Sequence, residues 1–186
     1  MHKCLIICGP SPCIYDDLNR IWKHRPHAVT AAVNLAALIV RSDHIITMHP
    51  EILPDLLRGR EEVFPGNDYL VHSVAGGGRD YSPLVNKWWA VNTPATSAGA
   101  AVLIGLKLNF DEIILCGCPL TGGDGYAVDS ALKGVGHMMP DSSVLKEHQY
   151  GMRLIAMNQG NKVFSMSGYT AELFGQPKID KKRFYN

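Results

Sequence analysis

Charge of one sign is what this chain most plainly lacks. Its 18 Lys and Arg stand against 17 Asp and Glu, a formal net charge of +1, so no broad field points to nucleic acid or an anionic membrane. Partners have to be read from sites instead. Long apolar runs are also missing. None reaches the roughly 20 residues of a membrane span. Met1-His2-Lys3 leads straight into Cys4-Leu-Ile-Ile-Cys8, which is too short for a signal-peptide core, so a cytoplasmic protein is expected. Cysteine is odd in number, with five in all. Cys4 and Cys8 share one strand and Cys116-Gly117-Cys118 is too tight for an easy bridge, which predicts buried free thiols in a reducing compartment. No His, Cys and acid spacing fits a closed zinc site. His44 and His49 would point to opposite faces of a strand, and no metal is implied.

What the chain does have is a regular alternation of apolar periods over 186 residues, enough for one domain with a three-layer core. That domain is expected over residues 1–177, with 178–186 a polar, basic tail that is solvated or serves a partner or oligomer contact. Strands are predicted at Lys3–Cys8, His27–Val33, His44–Met48, Tyr69–Val74, Asp111–Cys116 and Lys162–Met166. Helices are predicted at Tyr15–Trp22, Leu35–Val40, Ile52–Leu57, Ala98–Leu108, Val144–Asn158 and near Thr170–Phe174. Pro54 is tolerated only in the first turn of its helix. Trp88-Trp89-Ala-Val reads as strand or loop edge. Residues 119–140 are glycine-rich and aperiodic, and a loop that long in a compact domain is functional or mobile. Strands alternating with helices imply βαβ units, a mainly parallel sheet and right-handed crossovers. The expected class is α/β, a Rossmann-like three-layer fold.

In such folds ligands bind at the carboxyl ends of the strands. Those ends collect Gly9-Pro10-Ser11, Asn34, His49, Gly76–Gly78 and Gly117–Thr121, while Thr96-Ser97-Ala98-Gly99 opens an apolar helix. Small residues, exposed amides and a positive helix end there suit a phosphate or nucleotide. The nucleotide-binding candidates are therefore Gly9, Pro10, Ser11, Asn34, Thr96, Ser97 and Gly117. Each also has a plain structural explanation. Gly9-Pro10-Ser11-Pro12 is a good strand-to-helix turn, Thr96 and Ser97 are good N-caps, and Asn34 is a turn former. The Gly76–Gly78 run lacks the GxGxxG pattern.

Four features taken in order carry a resemblance: Gly9-Pro10-Ser11 after the first strand, Asn34 after the second, Thr96-Ser97 before a Gly-containing helix, and Gly105-Leu-Lys-Leu-Asn-Phe-Asp-Glu-Ile-Ile-Leu-Cys-Gly117. Together they cover most of the chain. The sequence resembles the bacterial lipooligosaccharide sialyltransferases and the related flagellin-modification and pterin-pyrophosphokinase-like proteins of Rossmann-like fold. The likeness to the sialyltransferases continues through Gly125-Tyr126, Gly136-His137, the helix at Val144 and the last strand. It implies a CMP-type sugar donor and an unknown acceptor, with His137 as general base and Tyr126 as hydrogen-bond donor to the departing phosphate. That assignment makes chemical sense, because a hydroxyl nucleophile needs a base near the operating pH and a departing phosphate gains from a nearby donor. No cofactor is implied. The pyrophosphokinase-like relatives imply instead Mg²⁺-dependent diphosphate transfer, with Asp124, Asp129 and Asp141 as possible ligands. The chain also departs from the sialyltransferase pattern. Cys118-Pro119-Leu120 stands where an aspartate is common, Thr121 replaces a second loop tyrosine, and Pro94 falls near the position of an arginine that Arg79 or Lys87 would have to replace. Those departures suit a third reading, a protein that binds or sequesters a nucleotide without chemistry.

Overall fold

The computed structural model describes residues 2–75, 81–92, 96–122, 142–159 and 161–179. Seven short strands form one parallel sheet: β1 (Cys4–Cys8), β2 (Val29–Val33), β3 (His44–Thr47), β4 (Leu70–Val74), β5 (Lys87–Trp89), β6 (Glu112–Cys116) and β7 (Val163–Ser165). Their spatial order is β5-β4-β3-β2-β1-β6-β7. β1 lies at the centre of the core, with Cys8 in register with Ala32 on one side and Cys116 on the other. All of β1 and all of β6 is buried. That explains why both read as continuous apolar runs and not as alternating ones.

The helices divide between the two faces as right-handed crossovers require. Strands β1 to β4 step outward in order, and their connections, α1 (Ile14–Ile21), the 3-10 turn Asn34–Leu38 and α2 (Leu53–Val63), pack on the face formed by Cys4, Ile6 and Cys8. From β5 the chain reverses. α3 (Ser97–Lys107) crosses back over the sheet to β6, and α3 and α4 (Ser142–Gln159) cover the opposite face of Leu5, Ile7 and Ile113. α3 can lie close because its buried face is mostly small. A Cβ on Gly105 would meet Leu5 Cδ2 at 2.7 Å. The last helix is α5 (Gly168–Phe174).

The α/β class and the order of elements match the sequence reading, with local differences. The segment expected as helix Leu35–Val40 is a 3-10 turn beginning at Asn34, whose φ of 50° starts it in a left-handed bend. The helix expected to stop at Leu57 runs on to Val63, with the exposed Glu61 and Glu62 in its last turn and Pro54 in its first. Trp88 and Trp89 belong to the edge strand β5. Trp89 is buried on the α3 face, whereas Trp88 is half-buried on the other and meets Tyr81 edge-on with ring centroids 4.6 Å apart. All five cysteines are free thiols, and all but Cys13 are buried. No helix among the described residues is long and apolar enough to cross a membrane.

Candidate functional site

The reversal of strand order puts a topological switch point between β1 and β6. The chain leaves these neighbouring strands toward opposite faces, so no helix among the described residues covers their carboxyl ends, and a crevice there is the usual ligand position in an open parallel sheet. Gly9 follows β1 and Gly117 follows β6, and the two backbones touch. A Cβ on Gly9 would lie 2.4 Å from Gly117 O, and a Cβ on Gly117 would lie 2.5 Å from Gly9 O and 2.7 Å from Ile14 Cβ. Gly117 also has a φ of +64°, a left-handed conformation in which glycine alone is unstrained.

This contact changes what the loops can offer a ligand. The Gly9 amide donates to Cys116 O at 2.8 Å, the Ser11 amide to Gly117 O at 3.2 Å, and the Gly117 amide to Asp17 Oδ2 at 2.9 Å. Pro10 and Pro12 have no amide hydrogen. The exposed amides expected around Gly9, Ser11 and Gly117 are thus spent inside the fold. What remains at this turn is close approach and the side chain of Ser11, which is buried and accepts from Cys13 Sγ at 3.7 Å.

The neighbouring strand end brings the other candidates together. Asn34, directly after β2, donates from Nδ2 to Ser97 Oγ at 3.3 Å across 63 residues of sequence. Its Oδ1 is buried and has no hydrogen-bond partner among the described residues. Thr96 is extended and caps α3, its Oγ1 accepting from the Ala98 amide at 3.3 Å while its carbonyl takes the Ala100 amide. The remaining first-turn amides of α3 have no acceptor within the helix. The carboxyl ends of the adjacent strands β2, β1 and β6 thus carry Asn34, Gly9-Pro10-Ser11 and Gly117, and Asn34 is joined to Ser97 at the start of α3. Tyr126, His137, Asp124, Asp129 and Asp141 lie outside the described residues.

Three residues that the sequence reading passed over complete the floor. Asp17 lies on the buried face of α1 with Ile14, Leu18 and Ile21 and is 2% exposed. Its Oδ2 accepts from Gly117 N and, at 2.8 Å, from Ser167 Oγ in the turn between β7 and α5. The Cys13 thiol lies 3.3 Å from Ser167 Oγ. Burial pushes the Asp17 carboxyl above its ordinary value, and the bonds from Gly117 and Ser167 oppose that shift. Burial likewise raises the surrounding thiols, Cys8 to about 12 and both Cys116 and Cys118 upward, so they stay protonated. An acid on the apolar side of an amphipathic helix was the signal available for Asp17. Nothing local marked Ser167.

The segment after β6 is held from below. Thr170 Oγ1 donates to Cys118 O at 2.7 Å and Gln149 Nε2 to Leu120 O at 2.9 Å. Gly168, at φ +63°, admits Pro119 where a Cβ would sit 2.5 Å from Pro119 Cβ. Cys118, at the position where an acid was considered, is 7% exposed and packs in the core. No protein-family model, curated protein or solved structure matches this chain.

Proposed function

We propose that the crevice beyond β2, β1 and β6 binds a nucleotide of CMP type and that the protein transfers a sugar from such a donor to an acceptor hydroxyl. The observation that carries the nucleotide reading is the Asn34–Ser97 pair. A buried amide oxygen without a partner costs on the order of 1–3 kcal/mol, and it sits beside the start of a helix, where anions are favoured. A ligand with a hydrogen-bond donor next to a phosphate satisfies both. Ser11, Asn34 and Ser97 hold the nucleotide in this reading. The acceptor oxygen attacks the anomeric carbon, its proton passes to His137, and the sugar–phosphate bond breaks with its electron pair leaving on the phosphate, where Tyr126 donates a hydrogen bond.

Titration calorimetry with CMP tests the binding step. Asn34→Ala and Ser97→Ala should each weaken CMP at least tenfold, roughly the loss of one good hydrogen bond to a charged ligand. Unchanged affinity in both would remove the site. Hydrolysis of CMP-sialic acid that disappears in His137→Ala supports transfer. The buried, protonated Cys118 favours a second reading, because it cannot do the work of an acid. CMP binding without turnover of any CMP-sugar would select that reading, a non-catalytic binder, and Mg²⁺-dependent ATP turnover would select diphosphate transfer.

A further inference from the structure

The rim of the sheet continues past Asn34 onto β3. That strand lies beside β2 with Val33 in register with Ile46, so Asn34 and Thr47 follow at the two neighbouring carboxyl ends. Thr47 is fully buried, and its Oγ1 accepts from the His49 amide at 2.9 Å, which fixes the backbone that carries His49 off the strand. The His49 ring in turn has Nδ1 3.1 Å from Oε1 of Glu51, in the short 3-10 turn Pro50–Ile52 that leads into α2. Ile46 packs in the same cluster as Ala98, the second residue of α3. The His49–Glu51 pair therefore stands at the strand end next to the one that carries Asn34, below the helix that begins at Ser97.

Stability gives this pair little reason to exist. Its side chains are 46% and 68% exposed, and ion pairs so open to water contribute little to folding. What the pair does is set the polarity of a ring. An ionised carboxylate only accepts, so in the neutral imidazole the hydrogen sits on Nδ1 and Nε2 keeps its lone pair. Nε2 then suits a group with a hydrogen to give. A phosphate dianion has none and belongs instead at the start of α3, where amides donate. A hydroxyl has one, and every phosphate oxygen bridge in a nucleotide sugar leads to a sugar that carries hydroxyls.

We propose that His49 is a further ligand-contacting residue of the crevice, accepting at Nε2 a hydrogen bond from a sugar hydroxyl beside the phosphate, and that Glu51 is the positioning residue that holds its ring in the accepting form. The proposal rests on the nucleotide reading of the same site and extends its contacts from Asn34 and Ser97 to the end of β3. Two sugars offer this chemistry, the ribose of the nucleotide and the sugar to be transferred.

Calorimetry at neutral pH with CMP, 2′,3′-dideoxy-CMP and a non-hydrolysable analogue of CMP-sialic acid tests the contact. His49→Ala should weaken binding about fivefold, the loss of one net hydrogen bond, with an unchanged urea midpoint. A loss seen with CMP and absent with the dideoxy nucleotide assigns the contact to ribose. A loss confined to the sialic acid analogue assigns it to the transferred sugar. Unchanged affinity for all three ligands, or an equal loss for CMP and its dideoxy form, overturns the proposal. Glu51 is read separately from the ¹⁵N resonances of the His49 ring, which should place the hydrogen on Nδ1 in the parent and shift toward Nε2 in Glu51→Ala, a change that a merely structural side chain would not produce. A hydrogen on Nε2 in the parent, or a ring that ignores Glu51→Ala, also overturns it. If none of the three ligands binds the parent protein, the nucleotide reading fails first and takes this contact with it, whereas binding that ignores His49 leaves that reading standing.

Discussion

Acid should loosen this fold at one identifiable place, the inner side of β4. Trp89 Nε1 donates to His72 Nδ1 at 3.0 Å, and indole can only donate, so the His72 proton sits on Nε2 and goes to His44 Nδ1, also at 3.0 Å. Both histidines are neutral in this arrangement. Protonating His72 would aim a second N–H at the indole, in a site that is 2% exposed and already carries Lys87 Nζ 3.8 Å from the Trp89 ring. Burial, then His44 and Lys87, hold His72 at about 4 against an ordinary 6.5, and burial also lowers His44, with Asp43 opposing. The unfolded chain binds the proton first, so the contribution is complete above pH 6.5 and is lost as pH falls toward 4. Its size is about 3 kcal/mol, a large part of the 5–15 kcal/mol typical of a domain. Urea denaturation of the parent and His72→Gln, which keeps an acceptor for Trp89 but does not titrate, should give stability curves that converge between pH 6.5 and 4. Parallel curves would refute the assignment.

Gly117→Ala should cost about 3 kcal/mol in urea denaturation, combining a left-handed φ of +64° with a Cβ 2.5 Å from Gly9 O. Arg60 is fully buried and donates to the carbonyls of Ala37, Val40 and Ser42 between the rings of Phe64 and Tyr69. Arg60→Met strands those carbonyls and should cost about 3 kcal/mol or more, whereas Arg58→Met, which loses only an exposed pair with Asp55, should cost under about 1 kcal/mol in the same assay.

Which parts of this were legible in the sequence follows from the range of the interactions. Strands buried on both faces advertise themselves as apolar runs, and Gly9, Asn34 and Gly117 mark their ends because a turn or a backbone crossing there restricts the residue type. The pairing of Asn34 with Ser97 could be reached only through the topology, since 63 residues separate them. The tie from Asp17 to Ser167 spans 150 residues, and serine is too common to announce it. Amide accounting was also hidden. Gly-Pro-Ser-Pro reads as an anion-binding turn until Gly9 and Ser11 are seen donating to the strand beside them.

The reversal after β5 explains why polar character gathers where it does. Had the chain continued outward, α3 would have packed on the face of α1 and α2, and its first turn would have stood beyond the edge of the sheet, far from Asn34. Crossing back over the opposite face sets that turn above the centre, beside the end of β2 and next to the ends of β1 and β6. The same reversal sends the described helices to either side of the floor between β1 and β6, which is closed from below by the turn after β7 and by one acid on α1. A site assembled this way depends on the crossing of Gly9 and Gly117 more than on any single side chain, because that contact fixes how far apart its two halves stand.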